Sequence, residues 1–313
     1  MGIDREKQDV LDGWDARKDA LRGLVVDTRR LTHGSFPDGD FEELDPVIWF
    51  PADEWEGLAY HEKQWLRIEA AAMTSASAVL VGRSAARKLG MWVIAAGEER
   101  VEVALPSRGS SKERRQSGRY KFHHSSLRAD EQLVYEGHRV TNPIRTFIDI
   151  ARHHGFVEGL IAADYLLRRG KNRSDIERAI RRMGRAKGIA VARRCLEHAI
   201  DNSDSPYESL ARALLIEAGI GPVVAQAQIE RYYADLLVKG WLIIEIDGEI
   251  KYEGNDVDEV LRAERHRQKR IGNKGYVFLR FSPSFLRKHP EKFLAEVRAA
   301  LAGAVLIGER IAQ

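Results

Sequence analysis

The stretch that decides the fold is Ala234–Gly254, ADLLVKGWLIIEIDGEIKYEG. It reads as two apolar strands, Ala234–Val238 and Trp241–Asp247, around a turn at Lys239-Gly240. The second run, WLIIEID, has the continuous apolar character of a strand buried on both faces. Yet it carries Glu245 and Asp247, and the first strand carries Asp235. Buried carboxylates are costly unless paired or bound to a cation. A three-residue turn centred on Gly240 places Asp235 directly opposite Glu245. The two-residue period then puts Asp247 on the same face, and Lys251 as well if the strand continues past Gly248. A two-residue turn shifts the register by one and separates the pair.

Two carboxylates a few ångströms apart repel, and a divalent cation relieves both the repulsion and the burial. Hard oxygen ligands suit Mg²⁺ (or Mn²⁺), which also binds phosphate oxygens. Metal-activated water attacking a phosphodiester is the chemistry this set suggests. A lysine beside it could neutralise developing phosphorane charge. The competing reading is structural: Asp235 is a surface strand residue, and Glu245 pairs with Lys251 or a helix arginine.

Outward from this stretch, DNSDSPYES (Asp201–Ser209) is a cluster of turn formers with Pro206 placed to open a helix. It is the expected boundary of a domain covering residues 201–313. Glu208–Ala218 reads as a helix ended by Gly219, and Val224–Tyr233 as strand. Val257–Asn273 reads as a basic helix, Tyr276–Phe281 as a short strand and Pro290–Ala302 as a closing helix. This order predicts a mixed sheet with helices on its faces, a three-layer α/β domain within an α+β chain. Arg262, Arg265, Arg267 and Arg270 of the basic helix are candidate phosphate contacts.

The same segment resembles the very-short-patch-repair (Vsr-like) branch of the PD-(D/E)xK endonucleases over residues 203–303. The blocks that carry the resemblance are Ser205-Pro206-Tyr207-Glu208-Ser209, a Gln-bearing strand (Gln226 or Gln228), Asp235 and Glu245-Ile246-Asp247-Gly248. The charged helix Leu261–Arg270 and the strand Gly275–Phe281 complete the set. The resemblance implies Asp235 and Glu245 as metal ligands, Glu208 as an accessory acid, and Asp247 and Lys251 around the water. Lys251 stands where this branch commonly has His. Glu264 stands near the position where the charged helix often has Asp.

Residues 61–200 read as a mostly helical module with a small β-hairpin. Helical spacing runs through His61–Ser75 and Ser84–Leu89, and again from Asn142-Pro143 to about Ala199. The hairpin is expected from VEVALPS (Val101–Ser107) and the strand starting at Tyr120. Between them, Arg108–Arg119 is a polar, basic loop whose Arg114 and Arg115 could track a phosphate backbone. Five blocks in order, Val79–Trp92, Val101–Ser107, Tyr120–Leu127, Gly137–Arg152 and Ala162–Gly170, resemble the AbiEi-type antitoxin regulators, several of which carry a Vsr-like domain behind this module. Residues 1–60 form an N-terminal segment. Its Asp15–Leu31 stretch is the expected remnant of a degenerate winged helix, and His33–Pro46 is read as a loop.

The chain has 313 residues, 50 Lys plus Arg against 47 Asp plus Glu, and 44% hydrophobic residues. That length predicts two or three domains, and the apolar fraction excludes disorder over most of it. No apolar run is long enough for a transmembrane helix. The charged start MGIDREKQDV is not a secretory signal, so the cytoplasm is the expected compartment. The single cysteine, Cys195, excludes an internal disulfide and a Cys-based zinc site. The net charge of +3 is small, but it is unevenly spread. Eleven cations against Asp175 and Glu177 fall between Arg168 and Arg194, which points to an acidic partner, nucleic acid being the commonest.

The paired histidines His123-His124 and His153-His154 read as ordinary strand and helix positions. There is no P-loop, dinucleotide fingerprint, HExxH or nucleophile elbow. The leading expectation is a DNA-associated protein with a Mg²⁺-dependent endonuclease domain. The alternative is a non-catalytic DNA-binding regulator, similar to a type IV antitoxin, with a toxin or other protein as partner. A purely protein-binding module is the third. No membrane partner is expected.

Overall fold

The computed structural model describes residues 2–31, 36–75, 77–105, 118–123, 126–246 and 274–311, with side chains described from residue 13 to residue 303. The architecture is α+β, with eleven α-helices and three sheets among these residues. The chain divides into two compact units, Met1–Gly90 with Glu99–Asn142, and Met91–Glu98 with Pro143–Gln313.

The first unit opens with α1 (Gly2–Gly23), β1 (Val26–Asp27), β2 (Phe41–Asp45) and β3 (Ile48–Pro51), followed by α2 (Ala52–Gly57) and α3 (Tyr60–Thr74). The three strands form an antiparallel sheet in the order β1-β3-β2. This corrects the reading of His33–Pro46 as a loop, since Phe41–Asp45 is a strand. Its acidic residues hide the pattern, but it pairs with the apolar IWFP of β3 and buries Leu44. Leu44, Ile48 and Phe50 pack with Trp65 and Leu66 of α3 and Leu21 of α1. Asp15–Leu31 supplies the end of α1, β1 and a short 3₁₀ turn.

Another part of α3, with Ile68 and Ala71, packs on a five-stranded sheet. That sheet comprises β4 (Val79–Leu80), β5 (Val101–Ala104), β6 (Tyr120–His123), β7 (Gln132–Tyr135) and β8 (His138–Thr141), and α4 (Gly82–Lys88) follows β4. The strand order is β6-β5-β4-β8-β7. The expected hairpin of β5 and β6 is not one, because the two strands pair in parallel. Parallel neighbours need a crossover of about a dozen residues or more, and fifteen separate Ala104 from Tyr120. The hairpin of this sheet is β7–β8, turned at Glu136-Gly137, both with positive φ (46° and 79°). Such a two-residue turn favours Asn or Gly at its first position.

Glu136 is held there by charge. Its carboxylate pairs with Lys88 (2.8 Å), Lys18 (3.4 Å) and Arg22. Lys88, fully buried at its side chain, also pairs with Glu69 (2.6 Å), and Arg22 binds Glu69 as well (3.0 Å). Burial opposes ionisation of Glu136, but the hydrogen bond and charge of Lys88, with Lys18 and Arg22, hold its carboxyl down at about 2.

The second unit begins with four helices, α5 (Pro143–His154), α6 (Phe156–Arg168), α7 (Arg173–Arg182) and α8 (Ile189–His198). Next come α9 (Pro206–Glu217), β9 (Val223–Ile229), β10 (Tyr232–Val238), β11 (Leu242–Ile246), β12 (Val277–Phe281), α10 (Pro283–Lys288) and α11 (Pro290–Ile311). The sheet order is β12-β11-β10-β9. β9, β10 and β11 are antiparallel neighbours and β12 joins β11 in parallel, so the sheet is mixed. A turn at Glu230-Arg231, with Glu230 at φ 57°, splits the run Val224–Tyr233 between β9 and β10.

Leu210 and Leu215 of α9, with Phe293 and Val297 of α11, bury the face formed by Leu236, Val238, Leu242 and Ile244. Ile161 of α6 joins the same core. The second unit thus takes in Met91–Glu98 and the helices from α5 onward together with this sheet.

The helices of this unit meet tightly. At Gly159 an added Cβ would lie 2.7 Å from Cys195 Sγ and 2.8 Å from Ala151 Cβ. Cys195 is fully buried, and burial pushes its thiol up to about 12. Asp164 of α6 is also fully buried. It accepts Arg212 Nη2 at 2.8 Å on both oxygens, the Ile200 N–H at 2.9 Å and the Ser209 hydroxyl at 2.8 Å. Arg212 also donates to the His198 carbonyl (2.7 Å). Among the described residues no helix is long and apolar enough to cross a membrane.

Two stability outcomes follow from these networks. Glu136→Gln is expected to cost about 1.5–3 kcal/mol at pH 7 by urea denaturation. A carboxyl lowered from its usual 4.5 to about 2 stabilises the fold fully above the higher value. The difference between variant and wild type should therefore shrink as pH falls through that interval and vanish below it. Asp164→Ala strands a buried guanidinium and should cost about 3–5 kcal/mol by the same measurement.

Candidate functional site

The turn between β10 and β11 sets the geometry. Val238 pairs with Leu242, so Lys239, Gly240 and Trp241 form a three-residue connection, with Lys239 at φ 49° and Gly240 at φ 78°. The pairing continues through Leu237–Ile243 and Leu236–Ile244. The described pairing ends there; the same register carried one residue further sets Asp235 across from Glu245. Leu236, Val238, Leu242 and Ile244 face the core under α9. Leu237 and Ile243 lie on the other face, clustering with Ile229, Ala234 and Phe278, and Glu245 shares the parity of Ile243. With Ala234 on this face and Leu236 on the core face, the alternation of β10 breaks at Asp235.

Glu245 is buried and Asp235 half-buried. Asp235 Oδ2 accepts the Ile246 N–H at 2.8 Å. Glu245 Oε2 lies 3.6 Å from the Arg280 guanidinium of β12, its direct neighbour in the parallel register. Arg280 did not stand out in the sequence as a site residue. Only the parallel pairing of β11 with β12, across a long stretch of chain, puts it there.

On its other side β10 pairs with β9. Ala234 faces Ala227 and Leu236 faces Ala225, so the residue across from Asp235 is Gln226. Gln226 adopts φ 49° within a strand, a conformation uncommon for a residue with a side chain. Its amide donates to Glu208 Oε2 at 2.9 Å. Gln228, the other candidate, donates to the Glu230 carbonyl.

Glu208 is buried in the first turn of α9. Ser205 caps that helix by accepting the Glu208 N–H (3.1 Å), and the Glu208 carboxylate accepts the Asp204 N–H (3.0 Å). Its position thus follows from helix-start chemistry.

Asp235 and Glu245 supply hard oxygen donors of the kind Mg²⁺ takes, and Mg²⁺ needs few protein ligands because it keeps several waters. Among the described residues, no group of three or more His, Cys, Asp or Glu could hold a metal ion. Asp247 and Lys251 lie outside the described residues, as do Arg262, Arg265, Arg267 and Arg270 of the expected basic helix and Arg114 and Arg115 of the basic loop.

Gly240 is the hinge of the register. Gly240→Ala should destabilise the chain by about 1–2 kcal/mol in urea denaturation, because alanine is strained at positive φ. Compared with known proteins, the chain matches no family model, no curated protein and no solved structure.

Proposed function

We propose that this chain is a DNA-associated protein whose C-terminal sheet carries a Mg²⁺- (or Mn²⁺-) dependent phosphodiester-hydrolysing site. What supports it is the register of the Gly240 turn, which sets Asp235 and Glu245 on neighbouring strands with Asp235 Oδ2 on the N–H of Ile246, next to Glu245, beside the strained Gln226. Strained backbone next to paired acids is where functional sites are commonly found. Asp235 and Glu245 would hold the ion, and Gln226 links their strand to Glu208. The ion would supply Lewis-acid polarisation of a phosphoryl oxygen. Asp247 and Lys251 complete the set that the Vsr-like resemblance implies, and the AbiEi-like blocks fit a cytoplasmic regulator acting on DNA.

The second reading is a non-catalytic regulator, similar to a type IV antitoxin, which uses this fold to bind DNA or a protein such as a toxin. It is favoured by the surroundings of the acids. Arg280 sits beside Glu245 as a structural counter-ion would, and Asp235 Oδ2 is taken by a backbone N–H.

The test compares wild type, Asp235→Ala and Glu245→Ala on plasmid and single-stranded DNA with Mg²⁺, Mn²⁺ or EDTA. Cleavage by wild type alone, lost in EDTA, is the expected result. Equal cleavage by the variants sinks the site assignment. Absence of cleavage with either metal, with DNA binding retained, selects the regulator.

A further inference from the structure

We infer that the outward surface of α7, α8 and their connection is a docking face for the phosphate backbone of a DNA duplex, separate from the carboxylate site and independent of sequence. Between Lys171 and His198, the end of α8, the chain places nine cations against three carboxylates, Asp175, Glu177 and Glu197. The fold turns them outward: Ile176 and Ile180 of α7 and Ile189, Ala192 and Leu196 of α8 are buried, and the charged positions around them are exposed.

The two carboxylates of α7 are engaged within it, Asp175 with Arg178 at 3.2 Å and Glu177 with Arg181 at 3.6 Å, and the third, Glu197, is exposed on α8. Arg173 is used internally, donating to the Ala199 carbonyl at 2.6 Å. Arg185 and Lys187 in the connection have no carboxylate partner among the described residues, and both are exposed. Such a predominantly cationic surface repels itself. A polyanion relieves that repulsion.

The apolar content identifies which polyanion. Among the described residues, every exposed large hydrophobic side chain lies outside residues 171–198. A protein partner would need buried aromatic or aliphatic anchors at the centre of its contact. A membrane surface would need an apolar face to insert. Single strands would need aromatic platforms for stacking. Charge alone is enough for duplex backbone. Each of these ten-residue helices is about 15 Å long. That length spans about nine phosphate charges along a duplex axis.

The inference does not depend on catalysis, and it is tested with the full chain carrying Asp235→Ala in EDTA, where no cleavage intervenes. Binding to a short fluorescent duplex is titrated across a series of salt concentrations. The variant Arg181→Gln, Arg185→Gln, Lys187→Gln should bind more weakly at low salt. It should lower the slope of log K against log salt by about 2.7, close to 0.9 for each contact removed. The matching single strand should bind less tightly, and phosphatidylserine vesicles should not displace the duplex. An unchanged slope, in a variant whose thermal unfolding matches the parent, overturns the assignment. So does tighter binding of the single strand, or displacement by vesicles at equal charge. If the triple variant does not fold, Lys187→Gln alone should lower the slope by about 0.9, and no change there overturns it equally. Loss of cleavage by the nuclease-site variants with this slope intact would leave the docking face standing.

Discussion

The buried carboxylate of Asp164 is the constraint on which the second unit depends. An isolated charge at this depth costs several kcal/mol. It is tolerated because a guanidinium, a backbone amide and a hydroxyl converge on it. Those donors come from α9 and from the segment entering it, while the acid belongs to α6. A buried ion pair adds little net stability over a well-packed apolar pair. What it adds here is uniqueness of placement, because a rotation or slide of α9 against α6 would leave both charges stranded. α9 in turn covers one face of the sheet. The helical layer and the sheet are thereby held to one arrangement by a contact between residues far apart in sequence.

The sheet shows how one alternation serves two purposes. On β11 one set of side chains, Leu242 and Ile244, faces the apolar core, and the set between them carries Glu245. The strand can be buried and still present acid because the two sets never share a face. Gln226 lies across from Asp235 in a conformation that ordinary strands avoid. The hydrogen bond from its side chain to Glu208 offsets part of that cost and couples β9 to the start of α9.

Much of this was legible in the sequence because it is local. The turn chemistry of Lys239-Gly240, the apolar run broken by Glu245 and the Ser-Pro start of α9 each act within a few residues. What was not legible has two origins. Some signals were masked by composition: the acids of Phe41–Asp45 concealed a strand, and Glu230-Arg231 lacks the Gly or Asn that marks most tight turns. Others are long-range. The parallel pairing of β5 with β6, Arg280 beside Glu245 and Asp164 beneath Arg212 depend on topology, and no spacing rule connects residues so far apart. Turn formers show where the chain bends, and long-range contacts decide which elements share a core.

The lone cysteine makes the second unit self-reporting. Cys195 is fully buried against Gly159 and the Phe156 carbonyl of α6, and its thiol is poorly ionised in the native state. A thiol-specific reagent in solution therefore meets it only when the layer of α6 and α8 separates, and modification rate becomes a clock for that opening. Cysteines introduced on the surface could carry spectroscopic probes without first removing the native one. The same closure that leaves the residue chemically silent makes it a gauge of breathing in the helical layer that supports the sheet.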